Sequence, residues 1–276
     1  LNFDVQLPES VGIDLLHHNA FDNSMLSPEF LEYSAFSVHF ARFLHEIPSI
    51  LEGKQLKNTD IFSHAPVLRS SINGSKASLA SFRALLLASG IHGHLTMEAL
   101  PPVDIHEILN FDSAETSACL LLALALSNKK ESKNNYNAKF LDKLFSMHLA
   151  NFQSSLNLEV PPILQLSAAL SLGIFKFRSF DRGSSQLLLK EIFRPSPLNV
   201  NHKAIDDSPL ASIVPGITLG MCLMAAKASK DSNDFQFALD IQNQLNSTAA
   251  ANVQQRIAVL IASALINFDN PEYYKS

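Results

Sequence analysis

Gln165-Leu-Ser-Ala-Ala-Leu-Ser-Leu-Gly-Ile174 reads as a helix with almost no polar side; past Gln165, only two small hydroxyls interrupt its apolar surface. Such a helix must be buried on every side, so other elements have to cover it. Four more stretches have the same character. They are Arg83-Ala-Leu-Leu-Leu-Ala-Ser-Gly-Ile91, Ala118-Cys-Leu-Leu-Leu-Ala-Leu-Ala-Leu126, Pro215-Gly-Ile-Thr-Leu-Gly-Met-Cys-Leu-Met-Ala-Ala226 and Ile257-Ala-Val-Leu-Ile-Ala-Ser-Ala-Leu-Ile266. With Gly90, Ala123, Gly173, Gly220 and Ala264 as equivalent structural positions, the copies stand 33, 50, 47 and 44 residues apart. Self-similarity at periods of ~20–50 residues marks a repeat array, in which each unit buries its apolar face on its neighbours. Glycine inside a helix costs ~1 kcal/mol against alanine, so its recurrence points to close helix packing.

Between the apolar helices lie amphipathic ones. Ala138–Leu149 places Phe140, Leu141, Leu144, Phe145, His148 and Leu149 on one face, with Asp142, Lys143 and Ser146 opposite. Ser184–Phe193 and Asp234–Leu245 are its counterparts. A helix with one dry and one wet face belongs outside a helix that is dry all round. The expected fold is therefore all-α, a solenoid of alternating buried and amphipathic helices in two layers.

Punctuation sets the boundaries. Ser27-Pro28-Glu29 opens a helix and Pro48 follows it, so the spacing predicts a helix over about 28–46. Residues 1–74 form a lead-in whose one helix packs on the repeats, and 75–276 carry about five units. The first apolar helix, about 77–91, ends at Gly90 and Gly93, which suit a C-terminal cap. Asp104–Leu109 makes a short helix. Ser113 reopens the pattern, Pro161-Pro162 starts the third apolar helix, and Ser208-Pro209 caps the fourth. The fifth spans about 251–267.

Composition narrows the function classes. The 276 residues are 47% hydrophobic, with 21 Lys and Arg against 26 Asp and Glu and a formal net charge of −5. Broad electrostatic binding of nucleic acid needs a basic excess, which this chain lacks, so no nucleic-acid partner is expected. The apolar runs fall short of the ~20 residues that span a bilayer, so no membrane partner is expected either. We expect a soluble, intracellular chain that is a piece of something larger. Cys119 and Cys222 sit inside apolar helices and read as buried thiols.

Candidate chemistry is sparse. His92-Gly-His94 lacks the third and fourth ligands that zinc requires. It reads better as a turn whose imidazoles cap helix carbonyls. Asp104 favours the start of its helix through the dipole. No phosphate loop, nucleophile elbow or zinc-protease helix occurs. Neither catalysis, a cofactor nor a metal is expected. Ser196, between Pro195 and Pro197, is the accessible candidate for phosphorylation. Loops 127–137 and 195–207 are the candidate contact loops.

Leu86-Leu-Ala-Ser-Gly-Ile-His-Gly-His-Leu-Thr96, followed by Val103-Asp-Ile-His-Glu-Ile-Leu109, resembles the proteasome/cyclosome repeat. Glu115–Leu122, Gln186–Pro195 and Leu219–Cys222 extend the match, which lies mostly within 75–225. The resemblance implies a closed or curved solenoid (a toroid of two concentric helix rings). It also implies a non-catalytic scaffold of the anaphase-promoting complex/cyclosome, a ubiquitin ligase of nucleus and cytoplasm acting in mitosis and cell division. The implied partners are a cullin-like catalytic subunit, tetratricopeptide-repeat subunits and the coactivator. Two alternatives stay open: a large non-ATPase scaffold subunit of the proteasome regulatory particle, and an unrelated HEAT-like helical-repeat adaptor.

Overall fold

The computed structural model describes residues 28–53, 76–97, 105–106, 109, 113–128, 136–149, 160–194, 210–226 and 232–270. Among them, every regular element is a helix. The chain divides into two compact units, Leu1–His92 and Gly93–Ser276.

The first unit holds α1, Pro28–Gly53, packed along α2, Lys76–Ile91. Phe36 and Phe40 stack at 5.7 Å along α1, and His39 lies over Phe43 at 6.1 Å. An Arg83–Glu32 ion pair ties the two helices. The expected stop at Pro48 does not end α1, which runs on to Gly53. Pro48 has no N–H to give the Leu44 carbonyl, four residues earlier. His92 Nε2, 3.1 Å away, supplies that donor from beyond the end of α2. Gly93 then adopts φ +78, the left-handed conformation that closes a helix and suits glycine.

The second unit contains α3 (Ala114–Ser127), α4 (Tyr136–Met147), α5 (Pro162–Phe175), α6 (Arg182–Ile192), α7 (Leu210–Cys222), α8 (Ser232–Ser247) and α9 (Val253–Ile266). The apolar helices α3, α5, α7 and α9 pack in a row, each against the next. The amphipathic helices lie on that row: α4 on α3 and α5, α6 on α7 and α9, α8 on α9. This is the alternation of buried and amphipathic helices that the sequence predicts.

Local chemistry explains the helix starts. The Ser113 side chain accepts from the Thr116 N–H, Asp181 from Ser184 and Asn252 from Gln255. Each cap contributes ~1 kcal/mol. Pro162 occupies the first turn of α5, where a missing N–H costs nothing. The Asp181 cap starts α6 two residues before the expected Ser184. Ala138, Leu141, Leu144 and Phe145 form the dry face of α4. The expectation for Asp142 needs amending, because it does not simply face water. Its carboxylate lies 3.2 Å from Lys176 Nζ, at the end of α5. Of the short helix expected at 104–109, Ile105, His106 and Leu109 are described and helical. Ile105 is fully buried, and the His106 ring meets Phe140 edge-on at 6.0 Å.

Candidate functional site

The ends of the apolar helices give a common register. Asn128, Lys176, Leu223 and Asn267 each follow the last residue of α3, α5, α7 and α9. Each donates its N–H to the carbonyl four residues back, at 3.0, 2.8, 3.2 and 3.1 Å. Measured between these residues, the units are 48, 47 and 44 residues long.

The turn beyond each end reaches the next helix of the row. Two residues past Lys176, the Arg178 N–H donates to the Met221 carbonyl of α7 at 3.0 Å. Two residues past Leu223, the Ala225 N–H donates to the Leu265 carbonyl of α9 at 3.2 Å. Met221 and Leu265 both lie two residues before their helix's closing residue. Arg178 and Ala225 share a left-handed backbone, φ 53 and 55. Phe180, also left-handed at φ 52, donates to the Cys222 carbonyl at 3.3 Å. The last carbonyls of a helix have no partner within it. Here the preceding unit satisfies them. Each such bond offsets the ~1–2 kcal/mol cost of a left-handed non-glycine residue. The same logic serves α3 with side chains: the Leu95 N–H donates to Ser127 Oγ at 3.0 Å, and Asn128 Nδ2 donates back to the Leu95 carbonyl at 2.9 Å. Because the C-terminal ends of α5, α7 and α9 are joined this way, the three helices run parallel.

Small residues set the spacing of the row. A β-carbon on Gly173 would lie 2.7 Å from Thr218 Cβ; on Gly216, 2.7 Å from the Ala258 carbonyl oxygen; on Gly220, 2.7 Å from Leu265 Cβ. Gly173, Gly220 and Ala264 all stand three residues before their closing residues, and Ala125 holds that place in α3. Ala123 is fully buried two residues earlier in α3, and Gly90 is buried in α2. Gly216, not singled out among the equivalent positions, lies one helical turn before Gly220. The sequence signal for it is the i, i+4 glycine spacing itself.

The charges of the unit are spent on helix ends. Lys176 Nζ lies 3.2 Å from Asp142 of α4 and 3.7 Å from Asp181, whose other oxygen caps α6. Lys176 also covers the Phe175 ring, with the ammonium 5.6 Å from its centre. One cation thus joins α4, α5 and α6. Arg182 sits over Phe237 of α8 at 5.3 Å. Cys222 is fully buried beside this cluster, and its thiol is pushed up to about 12, first by burial and then by Asp181. Cys119 is only half-buried, unlike the buried thiol expected there. Among the described residues, no three His, Cys, Asp or Glu side chains gather as a metal set. Lys139, Lys143 and Lys190 point outward from α4 and α6, while α8 shows Gln236, Asp240, Asn243 and Gln244. Ser196 lies outside the described residues, as do 129–135 and 195–207 of the candidate contact loops.

The chain is similar to anaphase-promoting complex subunit 1 of Homo sapiens, at 30% identity over 151 residues. That match covers 53% of this chain and 7% of the human protein. The Mus musculus protein of the same name gives the same figures. The Dictyostelium discoideum one is 26% identical over 178 residues, 63% of this chain and 7% of its own length. The chain therefore spans a small fraction of the curated relatives that it matches. No family model matches the chain.

Proposed function

We propose that this chain is a non-catalytic scaffold segment of an anaphase-promoting complex, where its helical array holds other subunits of that ubiquitin ligase in place. The observation carrying this reading is the row α3–α5–α7–α9, in which the turns at Arg178 and Ala225 close the open ends of α7 and α9. Helices stacked in this way offer the extended binding surface that a scaffold uses. The similarity to anaphase-promoting complex subunit 1 supports this assembly over other repeat scaffolds. We assign the repeat to the proteasome/cyclosome type on the Gly93-His-Leu-Thr96 turn and its surrounding residues. A cullin-like subunit, tetratricopeptide-repeat subunits and the coactivator are the partners under this reading, in nucleus and cytoplasm.

Affinity purification of the chain from dividing cells tests it. The expected result is co-purification of cullin-like and tetratricopeptide-repeat subunits, lost when Arg178→Pro breaks the row. Recovery of proteasomal ATPases instead would overturn the assignment in favour of the proteasome regulatory particle.

A further inference from the structure

The turns that close α5, α7 and α9 are built alike. Residues 176–178, 223–225 and 267–269 each form a three-residue turn. Lys176 and Asn267 have nearly the same backbone, φ −95 and ψ 20 against φ −97 and ψ 15. The Phe177 N–H donates three residues back to the Ile174 carbonyl at 3.4 Å, and the Phe268 N–H to Leu265 at 3.3 Å. Ser179 then donates to Lys176 at 3.0 Å, and Asn270 to Asn267 at 2.8 Å. The middle residue of each of these turns is large and apolar: Phe177, Met224 and Phe268. The two phenylalanines are 50% and 56% exposed, and Met224 is partly exposed.

The row spaces these three side chains evenly. The steps from α5 to α7 and from α7 to α9 are made by the same bond, through Arg178 and Ala225. Met224 therefore stands midway between Phe177 and Phe268, one helix spacing of ~8–10 Å from each. Phenylalanine and methionine are among the side chains enriched where proteins meet. The two ends of this apolar edge differ in charge. Arg178 follows Phe177 and Asp269 follows Phe268. Both are exposed, and among the described residues neither side chain has an ion pair. Asp269 also lies just beyond the C-terminus of α9, where the helix dipole disfavours an anion and favours a cation brought beside it.

An edge that reads Phe, Met, Phe, with arginine at one end and aspartate at the other, complements itself. A two-fold axis crossing the row at Met224 lays Phe177 on Phe268 of a second copy, Met224 on Met224, and Arg178 on Asp269. Both ends are matched at once, as an isologous contact requires. The other two-fold, along the row, would set Arg178 on Arg178 and Asp269 on Asp269, which like charges oppose. We propose that this edge is a dimer interface, filled by the same edge of a second copy of the chain running antiparallel to it. The contact is narrow, so the dimer is reversible, with a midpoint on the order of 10 µM. It does not depend on which assembly the chain serves.

Sedimentation equilibrium of the 276-residue chain is the test. A reversible monomer–dimer equilibrium is expected. Arg178→Asp and Asp269→Arg should each weaken it at least tenfold, because each puts like charges at both ends of the edge. An equimolar mixture of the two variants should dimerise again, since one copy then brings two anions and the other two cations. That recovery also shows that both variants are folded. Phe268→Ser should weaken the unaltered dimer at least tenfold as well. A chain that stays monomeric up to about 200 µM overturns the proposal. So does a dimer indifferent to both charge changes, or a mixture that stays monomeric while circular dichroism shows both variants to be helical.

Discussion

Gly173 of α5 stands against Thr218 of α7 so closely that any side chain on it would meet Thr218 Cβ, Cγ2 and Cα within 3.0 Å. The Cα and Cβ atoms belong to the body of α7 and cannot swing away. Contact at this range fixes the separation of two helices rather than filling a gap between them.

Gly173→Leu should therefore destabilise the second unit by ~1–3 kcal/mol or more, because overpacking forces backbone movement. Gly183 provides the contrast. It lies on the exposed side of α6, and a β-carbon there would come no closer than 3.6 Å to Asp181 Oδ1. Gly183→Ala should be neutral or stabilising by up to ~1 kcal/mol, the helix-propensity difference. Denaturant unfolding of both variants checks the pair. Equal effects would show that Gly173 is not a tight contact.

The apolar helices and their amphipathic partners were legible because their chemistry is written in side chains. All-round apolarity at Ala118–Leu126 admits only a buried helix, and Ser113 and Pro162 signal their own starts. The turns that join the units were not legible. Arg178, Phe180 and Ala225 adopt left-handed backbone without a glycine to announce it, and they bond through N–H groups every residue has. Alternating Leu and Ala in α3 likewise hid whether Ala123 or Ala125 matches Gly173. Two residues' shift leaves such a pattern almost unchanged. The run of α1 past Pro48 was hidden for another reason. The donor that replaces the missing N–H, His92, is 44 residues away in sequence.

That replacement can be measured. His92→Ala leaves the Leu44 carbonyl without its Nε2 donor and should destabilise the first unit by ~1 kcal/mol, the usual net worth of a hydrogen bond. Pro48→Ala restores a backbone N–H to that carbonyl. In its presence, His92→Ala should cost clearly less. A double-mutant cycle by thermal unfolding reads the coupling, and strict additivity would mean that the two donors do not compete for one acceptor.

Acid should weaken the fold through His148. Its Nδ1 lies 2.8 Å from the Leu144 carbonyl, which can only accept, so Nδ1 carries the proton of the neutral ring. Burial lowers its pKa from 6.5, and the bond to Leu144 opposes this only in part. His39 is lowered as well, by burial and then by Arg42. With the folded pKa below the unfolded one, the unfolded chain binds more protons. Stability is then full above about pH 6.5 and falls as pH drops through the folded value. Unfolding followed by circular dichroism between about pH 7.5 and about pH 5, a span bracketing the ordinary histidine value, should show the loss, and His148→Gln should flatten it.

The turn bonds invite the sharpest test, since backbone and side chain make opposite demands at Arg178. Its side chain is exposed, while its N–H holds the Met221 carbonyl at φ 53. Arg178→Gly keeps the N–H and removes the left-handed penalty, so it should be neutral or stabilising by up to about 1 kcal/mol. Arg178→Pro removes the donor and cannot adopt a positive φ, so it should destabilise by several kcal/mol, roughly the sum of a lost bond and an enforced backbone change. Hydrogen exchange localises the effect. With proline, amides near the C-terminal end of α7 should exchange faster, while those of α3 keep their protection. If glycine destabilised the protein as much as proline, the Arg178 side chain rather than its backbone would be holding the turn after α5 to α7.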